Sequence, residues 1–205
     1  MKLHISYNFP DLSHALDIAQ HTAEFADIIG VGSLLLFKEG AKAIKSFKAA
    51  FPHKEIFAEA FVVEKAPEAV GMFAQAGARY VSVLAGTYHN AIKKAVETAK
   101  EFDAKIMLDL LDAHSIGQSA LDAKTLGVNS IIMHRTRTPD AAIEIDSEWQ
   151  HVRENTQLPV FITGKIDESN IQQLIALKPQ GIMIGAAITK ADNPAKQAQF
   201  FKSLL

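Results

Sequence analysis

Apolar and polar positions along the chain repeat one unit: a short apolar run, a polar or glycine-bearing turn, then a helix-length amphipathic segment. Residues 3–7 predict a first strand closed by Asn8-Phe9-Pro10, and Asp11 predicts the cap of a helix reaching about residue 25. The same pattern places later strands at 27–32, 54–65, 80–85, 105–110, 130–134, 159–164 and 181–185. Between them it predicts helices over 38–51, from Pro67 to a stop at Gly77, over 91–102, 115–126 ending at Gly127, 147–155 and 167–177, and a last one opened by Pro194. Residues 135–144 show no clear period and read as a loop.

Eight strands alternating with eight helices, with crossovers long enough for parallel pairing, predict an α/β chain folded as a single (β/α)8 barrel domain over 1–205. A doubly wound open sheet is the runner-up. The count of eight, and the lack of a Gly-x-Gly-x-x-Gly turn after the first strand, favour the barrel.

The third strand carries an anomaly. Ile56, Phe57, Ala58, Ala60, Phe61, Val62 and Val63 form an apolar run interrupted only by Glu59. An unpaired buried carboxylate costs several kcal/mol, so Glu59 needs a cation, a hydrogen-bond donor or a wet pocket at the strand end. Glu64 falls just past the strand, on the side where a barrel keeps its ligands. The plainer reading is a tethered structural Glu59 and a solvated Glu64.

Composition changes this picture little. Of 205 residues, 48% are apolar and 21% charged, an ordinary globular balance. A formal net charge of -2 gives no electrostatic footprint for nucleic acid or for an anionic membrane, so an anionic ligand must be held locally. No secretory leader or membrane span is expected. The absence of cysteine excludes disulfides, thiolate metal sites and a thiol nucleophile, and is compatible with a cytoplasmic location.

In a barrel the chemistry sits at the C-terminal strand ends. There the chain places Asn8, Gly30, Gly32, Glu59, Phe61, Glu64, Asp109, Asp112, His134, Arg135, Arg137 and the turns Thr163-Gly164-Lys165 and Gly185-Ala186-Ala187. Each glycine alone reads as a plain turn. Together, after strands seven and eight, they predict a phosphate cradle built from Gly164, Lys165, Gly185 and Ala186, because bare amides converge there on an anion. Glu59, Glu64, Asp109 and His134 form the acid–base set, and Asn8, Phe61 and Arg135 are candidate substrate contacts. Carboxylates on neighbouring strand ends also suit a divalent cation.

The whole chain resembles the 3-hexulose-6-phosphate synthase and 3-keto-L-gulonate-6-phosphate decarboxylase group of the orotidine-monophosphate decarboxylase superfamily. The resemblance is carried by Asp27-Ile28-Ile29-Gly30-Val31-Gly32, by the segment from Ala76 to Leu84, and most specifically by Gly185-Ala186-Ala187-Ile188-Thr189-Lys190-Ala191-Asp192-Asn193-Pro194. It implies a barrel, a homodimer with sites near the subunit interface, a sugar-phosphate substrate and an enediolate stabilised by Mg²⁺.

The departures fall on the reacting end. The family's first-strand Asp is Asn8 here, its metal-binding Glu on the second strand is Gly30, and its Asp-x-Lys-x-x-Asp reads Glu59-x-Phe61-x-x-Glu64. Glu59 alone remains as a metal carboxylate, and Phe61 can neither move a proton nor neutralise an enediolate. Lys165 replaces the second glycine of the turn after strand seven, and Lys65 leaves the chain in the opposite direction from Glu64. Three readings stay open: a phosphosugar lyase with a rebuilt centre, a binding homologue that kept the cradle, and a Schiff-base aldolase using Lys165.

Overall fold

The computed structural model describes residues 1–135 and 141–205, and for 141–144 the backbone only. Eight parallel strands close into a barrel in sequence order: β1 (Lys2–Tyr7), β2 (Ile28–Val31), β3 (Glu55–Val62), β4 (Tyr80–Leu84), β5 (Lys105–Asp109), β6 (Ser130–His134), β7 (Val160–Thr163) and β8 (Gly181–Ile184), with β8 pairing back onto β1. The helices between them are α1 (Leu12–Thr22), α2 (Ser33–Glu39), α3 (Ala41–Ala50), α4 (Ala66–Gln75), α5 (His89–Glu101), α6 (Ile116–Leu126), α7 (Ala141–Asn155), α8 (Ile171–Ala176), α9 (Ala186–Thr189) and α10 (Pro194–Leu204). The closed sheet excludes the open doubly wound alternative.

Strand alternation divides the core into two parts. Outward residues such as Leu3, Ile5 and Tyr7 join the large cluster under the helices, while Ile28, Phe57, Tyr80, Met107, Ile132, Phe161 and Met183 fill the barrel itself. His4, fully buried, lies on the inward side of β1 with its ring edge against Phe57.

Several boundaries follow the expected signals. Asp11 accepts from the amide of His14 at the start of α1, Ser115 accepts from that of Gln118 at the start of α6, and Gly127 ends α6 with φ of 81°.

Other elements differ from the pattern. The helix expected over 38–51 is two, because Gly40 at φ of 57° breaks it, and α2 begins earlier, at Ser33. The last strand is followed by the short α9, and the helix expected from Asp167 begins only at Ile171, after a turn held by Asp167 and Asn170 side chains. Helix α7 reaches back to Ala141, so the loop reading fails over 141–144; its remainder from 136, with Arg137, lies outside the described residues. Among the described residues no helix is long and apolar enough to cross a membrane.

Candidate active site

The third strand does not run straight to its end. Its register against β4 shifts between Ala58 and Val62, Phe61 adopts φ of 46°, and the Phe61 amide donates to Ser82 Oγ at 3.0 Å in place of a ladder partner. The bulge sits on the segment where the resemblance expects its signature. It leaves Glu59 with only 12% of its side chain exposed, opening onto a cavity of about 400 Å³ at the C-terminal strand ends.

That cavity is bounded by both glycine turns. Gly164, Lys165, Gly185 and Ala186 share its walls with Glu59, His134, Asn8 and Ser6. Gly164 has φ of 104°, and a Cβ there would lie 2.8 Å from the carbonyl oxygen of Arg135, so glycine is required on two counts. Lys165 follows in the left-handed region, its carbonyl accepting from Asn170 Nδ2 at 3.0 Å, and its side chain is exposed at the rim. Gly185 precedes α9, leaving the amides of Ala186 and Ala187 without a hydrogen bond inside the helix. The two turns therefore converge on one space, as an anion cradle demands, and Lys165 leaves that space open.

Asp109 and His134 form a second element. Asp109, only 2% exposed, accepts from the Leu111 amide at 2.9 Å. The same oxygen lies 2.7 Å from His134 Nε2, close enough for an ion pair but too oblique for a directed hydrogen bond. A buried carboxylate in this place orients the imidazole and favours its N–H form on that side. His134 and Gly164 also border a neighbouring cavity of about 600 Å³ walled by Leu110, Leu111, Ile116 and Arg135.

The other expected residues are spread more widely. Asn8 lines the cavity, yet its Oδ1 also accepts from the Leu34 amide at 2.9 Å and so tethers the start of α2; Gly32 has no Cβ because one would strike Asn8. Arg135 faces the neighbouring cavity, while Phe61 and Glu64 are not among the walls of either, and Glu64 is exposed beyond β3. Asp112 reaches back to Gly86, whose amide donates to it at 3.0 Å. Sequence reasoning missed His4. Its signal was a polar residue at an inward position between outward Leu3 and Ile5, on the strand that pairs with β2 and its Gly30.

Gly30 decides whether the implied Mg²⁺ fits. A Cβ at this position would lie 2.2 Å from His4 Nε2 and 2.6 Å from Glu59 Oε1. The space that a second carboxylate would need is occupied by an imidazole, and Asp109 is engaged elsewhere. Among the described residues no three His, Asp or Glu side chains gather as metal ligands. The residues present do not fit a hard cation with several oxygen ligands.

Fold and site together define the class: a (β/α)8 barrel with a candidate acid–base site and anion cradle at its C-terminal face. The sequence model of the orotidine 5'-phosphate decarboxylase / HUMPS family matches residues 1–201, and the chain belongs to that family. The 3-hexulose-6-phosphate synthase of Bacillus subtilis is 27% identical over 207 residues, covering 100% of this chain and 99% of that protein. The 3-keto-L-gulonate-6-phosphate decarboxylase UlaD of Salmonella paratyphi B is 26% identical, covering 98% of this chain and 94% of that protein. The crystal structure of 3-hexulose-6-phosphate synthase from Salmonella typhimurium superposes with a TM-score of 0.92 at 26% identity, covering 100% of this chain and 98% of that one.

Proposed function

We propose that this chain is a phosphosugar carbon–carbon lyase that works without the family's lysine. The observation that carries the reading is the single cavity that joins the Gly164 and Gly185 turns to Glu59 and His134. In this reading the amides of the two turns, with Lys165, grip the phosphate of a ketose or keto-acid phosphate and fix its carbon chain across the barrel mouth.

For a retro-aldol step, Glu59 takes the proton from the hydroxyl on the carbon β to the ketone. The bond between that carbon and its neighbour breaks, formaldehyde leaves, and the electron pair moves onto the ketone oxygen as an enediolate. Asp109 holds His134 at Nε2, and the protonated imidazole donates its Nδ1–H to that oxygen. Decarboxylation of a β-keto-acid phosphate would use the same oxygen contact with CO₂ as leaving group. Exposed Leu34, Phe37 and Val63, on α2 and just past β3 where these elements pack, support a homodimer with Glu64 near its interface; sedimentation as a stable monomer would remove Glu64 from a shared site.

A second reading, a binding homologue, is favoured by Phe61, whose apolar ring stands in the bulge at the lysine position. The Schiff-base alternative is weakened by the exposure of Lys165 to solvent at the cavity rim, where, among the described residues, no enclosed pocket surrounds its amine. The test is formaldehyde release from hexulose 6-phosphate, or CO₂ release from 3-keto-L-gulonate 6-phosphate, with a loss of about 10²-fold or more expected in Asp109→Ala. No turnover of either, with ribulose 5-phosphate still bound in calorimetry, selects the binding reading.

A further inference from the structure

Both ring nitrogens of His4 and Oε1 of Glu59 are buried without a hydrogen-bond partner among the described residues. His4 is fully enclosed, its ring 5.0 Å from that of Phe57, and its Nε2 stops 3.6 Å from Glu59 Oε1. Leaving a buried imidazole and a buried carboxylate unsatisfied side by side is costly, whereas a shift of a few tenths of an ångström joins them.

The residue that lets them meet is Gly30. It is paired with Ser6 on β1 and Phe57 on β3, and any Cβ it carried would fall inside contact distance of both groups. The obstructing atom is part of a packed ring, which has no flexible end to swing aside.

We propose that Gly30, His4 and Glu59 form one unit in which His4 is a positioning residue. Its Nε2–H is donated to Glu59 Oε1 and fixes that carboxylate at the cavity floor, in the volume where an acidic side chain from β2 would complete a divalent-cation site. An internal imidazole has taken the place of a metal ion beside Glu59. The catalytic role of Glu59 rests on the lyase reading; the exclusion of the cation and the imidazole–carboxylate contact do not.

The experiment is a Mn²⁺ titration of the full chain, followed by electron paramagnetic resonance, together with thermal melting. Wild type should show no saturable site below about a millimolar. Gly30→Glu should melt lower than wild type without gaining a tight site, since His4 obstructs the new side chain. Gly30→Glu/His4→Ala should regain melting temperature and bind Mn²⁺ at least about tenfold more tightly than wild type. A wild-type site as tight as that of the double variant overturns the proposal, as does Gly30→Glu melting like wild type and binding Mn²⁺ by itself.

Should the Gly30 variants fail to fold, ¹⁵N-edited NMR of wild type beside Glu59→Leu decides. A slowly exchanging imidazole N–H on His4 that disappears in Glu59→Leu is expected; its absence from wild type sinks the contact. None of these readouts needs turnover, so a failed lyase assay and a failed imidazole–carboxylate unit are distinguishable.

Discussion

At the N-terminal end of the barrel, Lys2 Nζ meets Glu55 Oε2 at 3.0 Å, Tyr80 Oη donates to the same carboxylate at 3.3 Å, and Lys202 Nζ holds Asp27 Oδ2 at 2.6 Å. In the C-terminal half, His4, Glu59 Oε1, His134 Nε2 and Arg135 Nε are buried without hydrogen-bond partners among the described residues. The lower-end pairs close on one another, whereas the upper end mixes tethered carboxylates such as Asp109 with atoms short of a partner, His4 and Glu59 facing each other at 3.6 Å. Ser130 Oγ, deep near the lower end, runs against that division. Polar groups left unpaired beside a cavity are available to a ligand or, like His4 and Glu59, to one another, whereas satisfied pairs at the opposite face serve stability.

The strongest way to break this contrast is at the upper rim. Gly164→Ala combines a left-handed backbone with a Cβ 2.8 Å from the Arg135 carbonyl, and should destabilise the fold by about 2–3 kcal/mol. It should also weaken ribulose 5-phosphate binding by about tenfold or more in calorimetry, because the turn's amides move. Lost stability with unchanged affinity would make the turn structural and remove the upper end's claim to be the site.

Two charge neutralisations sharpen the comparison by their sign. Glu55→Gln removes the partner of Lys2 and Tyr80, but the pair is partly solvent-exposed, so screening limits the loss to about 0.5–1 kcal/mol in urea unfolding. Glu59→Gln removes a charge that is nearly enclosed and that, among the described residues, lies within ion-pair distance of an imidazole alone, and should leave stability unchanged or raise it by up to about 1 kcal/mol. Equal losses from both would erase the distinction between the two faces.

Much of this architecture was legible because a buried parallel strand is apolar on both sides and each turn carried its own chemistry. Ser115 and Gly127 bracket α6 as their types require. The split at Gly40 escaped notice because Leu34-Leu35-Leu36-Phe37 is apolar without a period, so nothing marked α2 as a separate helix. In the site, Asp109, His134 and the two glycine turns could be read from strand ends alone. The contact of His4 with Glu59 could not, since it joins residues from β1 and β3 across the space above a glycine of β2 and exists only once the sheet closes. Glu59 itself was legible as a question, a carboxylate in an apolar run, but its answer lay 55 residues earlier in the chain.

The smallest expected effect tests the lower end through pH. Burial pushes the Asp27 carboxyl up, but the Lys202 ammonium and the Leu3 amide, which donates at 2.7 Å, outweigh it and hold the group below its ordinary value of 3.8. The folded chain then binds this proton less readily than the unfolded one. The pair's contribution is therefore complete above the unfolded value and fades as pH falls through the lower folded value. With about a third of the side chain exposed, screening leaves roughly 0.5 kcal/mol. Asp27→Asn should therefore melt slightly below wild type near about pH 7, and the two should converge as pH falls below the ordinary carboxyl value of 3.8. A gap that persists in acid would mean that the substituted amide fails through packing or a lost Leu3 contact, and that ion pairing is not what the lower end contributes.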